Sequence, residues 1–152
     1  MSPSPLEPAE SPGFLLWHTT LRWQRAVTAA LAPLELTHVQ FVLLACAWWL
    51  NEGGDAPPNQ VAVAAQAGTD VKMTSEVLRS LESKALVGRE PDPADARAKL
   101  VRVTPAGAKL APLAIAAVEE VDADFFAEDA ARAKRLLARL ARWSGRGQPT
   151  SV

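Results

Sequence analysis

The sequence predicts a mainly α-helical domain that carries one small β-hairpin. Apolar residues recur at helical spacing over most of the 152 residues, and capping residues or glycines stand where these runs begin and end. Residues 86–103 instead alternate apolar and polar side chains around a segment with two prolines, which is typical of paired strands. Apolar residues make up 49% of the chain and charged residues 22%, which excludes general disorder.

The first two helices are predicted by spacing and by cap chemistry. A helical pattern over residues 14–31 stops at Pro33. The next segment, LTHVQF, places Thr37 where an N-cap is needed and Gln40 three residues later, which is a capping box. The helix that begins here is expected to end at residues 53–54, which are both glycine.

Residues 59–84 predict a helix-turn-helix. A short helix in NQVAVAAQAG closes at Gly68, and a second helix begins at once with Thr69 or Asp70 as its cap. At 100° per residue the second helix has one apolar and one polar side. The apolar side comprises Val71, Thr74, Val77, Leu78, Leu81 and Ala85, and the polar side comprises Lys72, Glu76, Arg79 and Ser83, with Ser75 at the flank.

Residues 86–103 predict a β-hairpin with a long tip. Two short strands, LVGRE and LVRV, flank a loop at residues 91–98, and hairpin loops of this length tend to be functional. Arg97 lies at the predicted tip. Asp95, two residues earlier, is expected to bond its guanidinium group and orient it.

Two further helices are predicted after the hairpin. Thr104 and Pro105 are suited to begin a long helix, which is expected to kink at Pro112, and an amphipathic helix follows it. Residues 13–32 and 105–143 carry more apolar surface than one small domain covers. We therefore expect these helices to form the interface of a homodimer.

The chain as a whole is expected to be one domain, residues 13–143, between loose tails at residues 1–12 and 144–152. The N-terminus has no basic start and no long apolar core, so no signal peptide is expected. The longest apolar run, residues 41–50, is too short to cross a bilayer, and no membrane association is expected. A single cysteine forms no internal disulfide, which favours the cytoplasm.

The order of these elements is that of a winged helix-turn-helix with added helices, and three segments resemble the multiple antibiotic resistance regulator (MarR) family. They are LTHVQFVLL, LRSLESKALVGRE and DPADARAKLVRVTPAG, and with the flanking helices the resemblance covers residues 14–143. The most diagnostic part is Asp-x-Arg-x-Lys followed by Leu-Val-x-Val-Thr-Pro-x-Gly. The resemblance implies a homodimeric transcription factor that binds near-palindromic double-stranded DNA, usually as a repressor released by a small ligand or an oxidant.

One departure from the family concerns Ala85, where the family commonly has glycine. A left-handed backbone is unfavourable for alanine, so we expect a helical exit turn at this position.

The polar side of the second helix of the helix-turn-helix carries side chains that read base edges. Arginine and lysine bond guanine, glutamate accepts from cytosine, and serine bonds either class of base. The alternative is a solvated helix face. The resemblance implies that the hairpin arginine enters a minor groove, and the alternative is a surface arginine in a loop. The candidate DNA-binding residues are Lys72, Ser75, Glu76, Arg79, Arg97 and Lys99.

The charge of this region sets a limit on its attraction for DNA. Residues 70–104 contain seven Lys or Arg and six Asp or Glu, a local balance of +1. Nonspecific affinity is therefore expected to be modest, and specific contacts must supply much of the discrimination. The near-neutral charge also motivates a rival interpretation, in which the protein is a winged-helix interaction module that does not bind DNA.

The resemblance implies an effector pocket between the first, second and long penultimate helices, with Trp17, His18 and Trp48 as candidate ligand-binding residues. The alternative for these side chains is core or dimer packing. Cys46 lies in an apolar helix and is expected to be core, the alternative being a redox-sensing thiol.

Catalytic chemistry has no support in the sequence. No nucleophile and base set, phosphate loop, dinucleotide motif or clustered set of metal ligands occurs, so no enzyme activity, cofactor or metal is expected. An enzyme or ligand carrier that uses a tryptophan-lined interior would need a formed pocket with convergent polar groups.

Overall fold

The computed structural model describes residues 6–145, which form six α-helices and one antiparallel β-hairpin. This architecture confirms the predicted fold class, a mainly α winged helix-turn-helix. One-turn 3₁₀ helices precede α1 and follow α1 and α5. The elements are α1 (Pro12–Leu31), α2 (His38–Gly53), α3 (Gln60–Ala67), α4 (Val71–Ser83), β1 (Val87–Asp92), β2 (Asp95–Val103), α5 (Pro105–Phe126) and α6 (Ala130–Leu140).

The helix ends follow the cap chemistry of the sequence. Thr37 and Gln40 form the predicted capping box, in which each side chain accepts a hydrogen bond from the other residue's backbone N–H, at 3.2 and 3.0 Å. Asn59 and Thr104 cap α3 and α5. Gly68 ends α3 with a φ of 70°, a left-handed conformation that suits glycine. Strong local signals therefore set these boundaries.

The described part of the expected loose N-terminal tail, residues 6–12, contains one 3₁₀ turn and the first residue of α1. Residues 8–10 form a 3₁₀ turn, in which the Glu10 side chain accepts a hydrogen bond from the Glu7 N–H at 3.3 Å. Ser11 then caps α1 by accepting from the Phe14 N–H, also at 3.3 Å. Pro8 and Pro12 lie in the first turns of these two helices, where the fixed backbone angle of proline is favourable. Residues 1–5 and 146–152 of the expected tails lie outside the described residues.

A single buried core joins the second half of α1 with α2, α3, α4, the hairpin base and α5. By contrast, α6 has no buried residue. Gly107 allows α5 to begin directly against the hairpin, because a side chain there would overlap the Leu86 carbonyl oxygen and the Val103 side chain. The fully buried side chains include Val27, Leu31, Leu43, Leu44, Val63, Leu78, Leu81 and Val101.

The hairpin is a longer ribbon than predicted, with a short turn. The strands pair from Val87 with Val103 to Pro91 with Lys99, and only residues 93–94 connect them. The predicted long tip loop is therefore wrong. Pro91 is accommodated in β1 because an edge strand does not need every N–H donor, whereas Pro93 lies in the turn. On its other edge β2 meets the segment before α3, where Val101 N–H donates to the Pro58 carbonyl at 2.8 Å.

Candidate nucleic-acid interface

The turn between α3 and α4 is held by side-chain hydrogen bonds. Asp70 caps α4, as one of the two predicted caps, and its carboxylate accepts from the Met73 N–H at 2.8 Å. Thr74 is fully buried, and its hydroxyl donates to the Asp70 carbonyl at 2.7 Å and lies 2.7 Å from the Thr69 hydroxyl. These bonds fix the direction in which α4 leaves the turn.

The outer face of α4 exposes three of its four predicted DNA-binding residues. Lys72, Glu76 and Arg79 are exposed. Ser75 is half-buried, and its hydroxyl accepts a hydrogen bond from an Arg89 guanidinium nitrogen at 3.3 Å. Ser75 is therefore engaged inside the protein, whereas the other three side chains are available to a ligand.

Two residues that were assigned to the apolar side of this helix are not buried. Val71 is 68% exposed, because it lies in the first turn, where the core does not reach. Ala85 is also exposed. It lies beyond the end of α4 at Ser83, so the helical spacing that predicted its face does not apply to it. The expectation that both belong to the core side is wrong.

The exit turn of α4 is left-handed, contrary to the sequence-based expectation. Ala85 has a φ of 58°. Its N–H donates to the Glu82 carbonyl at 2.8 Å, and the Leu86 N–H donates to the Leu81 carbonyl at 3.0 Å, which is a Schellman motif. Burial of both leucines stabilises the turn although alanine is strained there.

The hairpin places Arg97 on a bulge of β2 and not at a loop tip. Asp92 pairs with Asp95, and Pro91 pairs with Lys99, so that residues 96–98 have no partner across the ribbon. Arg97 and Lys99 are exposed. The Asp95 carboxylate accepts from the backbone N–H of Arg97 at 3.0 Å, and the expected bond to its guanidinium group is wrong. Asp95 thus stabilises the backbone of the bulge, because an Asp side chain readily accepts a hydrogen bond from the backbone N–H two residues later.

Arg89 joins the hairpin to both helices of the helix-turn-helix, and it is not among the residues that the sequence predicts to be functional. Its side chain is only 10% exposed and donates to Glu82 at 2.5 Å, to Gln60 at 3.2 Å and to Ser75 at 3.3 Å. Strand alternation was the available signal, because residue 89 shares a face with the buried Val87. One guanidinium group therefore connects α3, α4 and β1.

These elements line one groove with a cavity of about 300 Å³. No Asp or Glu is among its lining residues, although the surrounding region is nearly neutral. The cationic side chains on it come from α4 and from both strands, so the fold collects positive charge that is dispersed in the sequence. The lining residues are Gln60, Val61, Ala64, Val71, Thr74, Ser75, Arg79, Arg89, Arg97, Ala98 and Lys99.

A second polar network ties the end of α4 to the start of α2. Lys84 donates to the Gln40 side-chain oxygen at 3.0 Å and to the Glu35 carbonyl. The Gln40 amide nitrogen donates to the Ser80 hydroxyl at 3.1 Å. The orientation of α4 is therefore coupled to the turn between α1 and α2.

The three candidate effector residues are not brought together. Trp17 is 61% exposed on α1. His18 is exposed and packs edge-on against Phe14, with ring centroids 4.6 Å apart, and the shallow groove that it lines includes neither tryptophan. Trp48 is half-buried and packs on the core from α2. The structure thus offers no common pocket for the three side chains.

The junction of α1, α2 and α5 holds a different polar cluster. The Trp23 indole N–H donates to the Asp122 carboxylate at 2.8 Å, and the Trp23 and His38 rings meet edge-on with centroids 5.1 Å apart. Burial lowers the pKa of His38, and the Asp122 charge opposes that effect. Helical periodicity predicts the face of its own helix on which each side chain lies, but it does not predict which helices contact each other.

Cys46 is half-buried and packs against the core. Burial raises the pKa of its thiol, which favours the neutral form over a reactive thiolate.

Large apolar side chains are exposed on α1, on α6 and directly after α6, and we call this set the distal surface. Beside it, Leu16, Trp23 and Leu137 help to line an almost wholly apolar cavity of about 210 Å³. Leu16 and Leu137 thus bring the two helices to one cavity, and clustered exposed apolar groups are typical of an interaction surface. The distal surface comprises Phe14, Leu15, Leu16, Trp17, Leu136, Leu137, Leu140 and Trp143.

No single helix within residues 6–145 is long and apolar enough to cross a membrane. By length and composition alone, α1 with its 3₁₀ extension and α2 meet the requirement together, although they are bent by 72° at their junction.

The chain is similar to known bacterial regulators over most of its length, although no protein-family model matches it. It is 43% identical over 121 residues to the uncharacterized HTH-type transcriptional regulator YdcH of Bacillus subtilis (strain 168), covering 79% of this chain and 81% of YdcH. It also resembles BpsR of Bordetella bronchiseptica, whose structure concerns regulation of DNA binding by 6-hydroxynicotinic acid, with a TM-score of 0.80, 26% identity and coverage of 92% and 99%. A mutant MarR from Escherichia coli complexed with operator DNA gives a TM-score of 0.75, 26% identity and coverage of 90% and 99%.

Proposed function

Because this chain belongs to the MarR family of transcriptional regulators, we propose that it is a homodimeric, sequence-specific DNA-binding repressor that a small ligand releases from its operator. The observation that carries the proposal is the acid-free groove between α3, α4 and the hairpin, beside the exposed polar face of α4. Proteins that act by occupying a promoter need no catalytic residues, so we do not assign an enzyme activity. Its compartment in this proposal is the cytoplasm.

The recognition helix in this proposal is α4. A major groove about 12 Å wide admits one helix, and α4 presents a lysine, a glutamate and an arginine on its outer face. Lys72 and Arg79 suit guanine, and Glu76 suits the cytosine amine. Ser75 is assigned to positioning as well as to DNA contact, because its hydroxyl already accepts a bond from Arg89.

The hairpin is proposed to follow the DNA backbone into the neighbouring minor groove. The exposed Arg97 projects from a bulge, and Lys99 lies two residues farther along the same strand. Narrow A·T-rich minor grooves concentrate negative potential, which attracts an arginine side chain. The bulge therefore presents the charge beyond the regular ribbon.

The distal surface is proposed to form the homodimer interface. Two-fold symmetry would place two α4 helices on one face of the DNA, about 34 Å apart, so that a pseudo-palindromic operator matches the protein. A small ligand that alters the packing of α1 against α2 and α5 would change this separation. The Trp23, His38 and Asp122 cluster lies at that junction and joins Trp17, His18 and Trp48 as a candidate effector contact.

Selection from random duplexes in dilute buffer tests the proposal. We expect the wild-type protein to enrich a near-palindromic site, and Arg97→Ala to weaken binding to that site by about tenfold, chiefly through the outer positions. Arg135→Ala is the matched control, because it removes one positive charge from an exposed side chain of α6 that lies away from the stripe of Leu136 and Leu140. Failure to enrich any duplex would contradict the proposal and favour an interaction module that does not bind DNA.

A further inference from the structure

Two exposed valines from different helices lie on the proposed DNA-binding groove. Val61 is 64% exposed in the first turn of α3, and Val71 is 68% exposed in the first turn of α4. Both line the cavity that also exposes Arg79, Arg97 and Lys99. A lone exposed valine needs no explanation, but this pair sits on one groove, which suggests a shared ligand.

The chemistry of the groove limits what this ligand is. Its charged lining groups are all cationic, so it suits a polyanion. Its two valines have no polar group to offer, so the part of the ligand that they meet must be apolar. In the major groove of DNA the apolar group is the 5-methyl of thymine, and aliphatic side chains contact it.

The position of Val71 on α4 agrees with such a contact. At 100° per residue Val71 lies one turn before Ser75 on the side that faces the hairpin, and Arg79 follows one turn after Ser75. Side chains in the first turns of a recognition helix contact base edges in helix-turn-helix proteins. Val71 is thus placed among the groups that are proposed to reach the bases.

We propose that Val71, supported by Val61, selects thymine in the operator half-site through its 5-methyl group. The inference rests on the proposed DNA-binding function. It adds an apolar element of specificity to the polar residues of α4. Arg79 would bond a neighbouring base while the valines exclude water from the methyl group.

Uracil substitution tests the contact, because uracil differs from thymine only in lacking that methyl group. In the selected operator each thymine is replaced in turn by uracil, and binding of the wild-type protein is titrated. We expect a loss of about fourfold at one thymine per half-site, which corresponds to one buried methyl group. With Val71→Ala the same replacement should change affinity by less than about 1.5-fold.

Two comparisons make the test decisive. Met73→Ala removes an exposed apolar side chain from the same helix but not from the groove, and should keep the full uracil penalty. The inference is wrong if replacing thymine by uracil lowers affinity at no position. It is also wrong if Met73→Ala, and not Val71→Ala, abolishes the loss of affinity caused by uracil. Enrichment of an operator is a separate result, so the proposed function survives that outcome.

Thermal unfolding of Val71→Ala excludes a trivial cause. Because the Val71 side chain is exposed, we expect the melting temperature of the Val71→Ala variant to differ little from that of the wild type. Val61→Ala provides an independent second variant, with a smaller reduction of the uracil penalty.

Discussion

Two regions of this molecule differ in how their side chains are paired or covered within one chain. Residues 59–103, which we call the proximal module, begin both of their helices with side-chain caps and join three elements through Arg89. At the opposite end the distal surface exposes large apolar side chains, and α6 buries none of its residues. The hydrogen bonds of the proximal module close within one chain, whereas the distal surface leaves apolar side chains that a partner could cover. We therefore expect mutations in the two regions to act differently: those in the distal surface through assembly, and those in the proximal module through its own stability.

The largest effect should come from placing charge in the distal surface. The double change Leu136→Glu and Leu140→Glu puts two carboxylates one turn apart on α6, where both leucines are about half exposed. Burying them in an apolar interface is unfavourable, so we expect a monomer of 16.2 kDa and at least about a 100-fold loss of operator affinity. Light scattering and binding titrations measure the two changes.

The matched control is Arg135→Glu, which changes charge at an exposed side chain on the same helix but away from the stripe of Leu136, Leu137 and Leu140. It should remain dimeric. A dimer that persists in the double leucine variant would show that the distal surface is not the interface.

The second effect concerns the guanidinium group that holds the proximal module together. Arg89→Ala removes three hydrogen bonds and leaves Glu82 without its cation, so we expect the free energy of unfolding to fall by about 2 kcal/mol. Arg89→Lys should recover little, because an ammonium group lacks the planar fork that reaches several acceptors. Denaturant titration measures both variants.

Arg102→Ala is the comparison for this prediction. Arg102 pairs with Glu90 at 2.7 Å, but both side chains are about half exposed, so its loss should cost less than about 1 kcal/mol. Equal costs at the two arginines would mean that Arg89 is only another surface ion pair.

The third effect should be a gain in stability at the end of α4. Ala85→Gly removes the strain of a left-handed alanine at a φ of 58° while the Schellman hydrogen bonds remain. After the greater freedom of glycine in the unfolded chain is subtracted, we expect an increase of about 0.5–1 kcal/mol. Ala65→Gly, in the middle of α3, should instead destabilise by about 1 kcal/mol. If both substitutions destabilise, the alanine is not strained.

The sequence predicted best what depends on a few neighbouring residues. The capping box of Thr37 and Gln40, the Asp70 cap and the turn at Gly68 are each determined by chemistry within one turn, and the structure confirms them. The mainly helical fold with its hairpin follows from these boundaries and from hydrophobic spacing. The loop predicted for residues 91–98 was wrong because its two prolines suggested a loop, while the edge strand β1 accommodates Pro91 and only Pro93 lies in the turn.

The candidate site was harder to predict, because its features depend on contacts between elements. Arg89 lies 29 residues from Gln60 along the chain, and only the folded packing shows that they are bonded. Ala85 adopts the unfavourable backbone because two buried leucines fix the turn around it. The exposure of Lys72, Glu76 and Arg79 on α4 was predicted from the helical spacing of 100° per residue alone, because an exposed face requires no contact with another element.

The smallest effect should be a pH dependence of stability that arises from His38, at the junction of α1, α2 and α5. Burial lowers the pKa of His38 below its ordinary value of 6.5, so the unfolded chain binds the proton more tightly than the folded one. Its contribution to stability is therefore present above about pH 6.5 and is lost as the pH falls through the lowered folded pKa. His38→Gln should flatten the decline in unfolding free energy between about pH 7.5 and pH 5.5. Asp122→Asn should steepen it, because the carboxylate that favours the charged imidazole is gone while an oxygen remains to accept from Trp23. Denaturant titrations across this range measure the slopes, and identical slopes in the wild type and both variants would show that the titration of His38 does not affect stability.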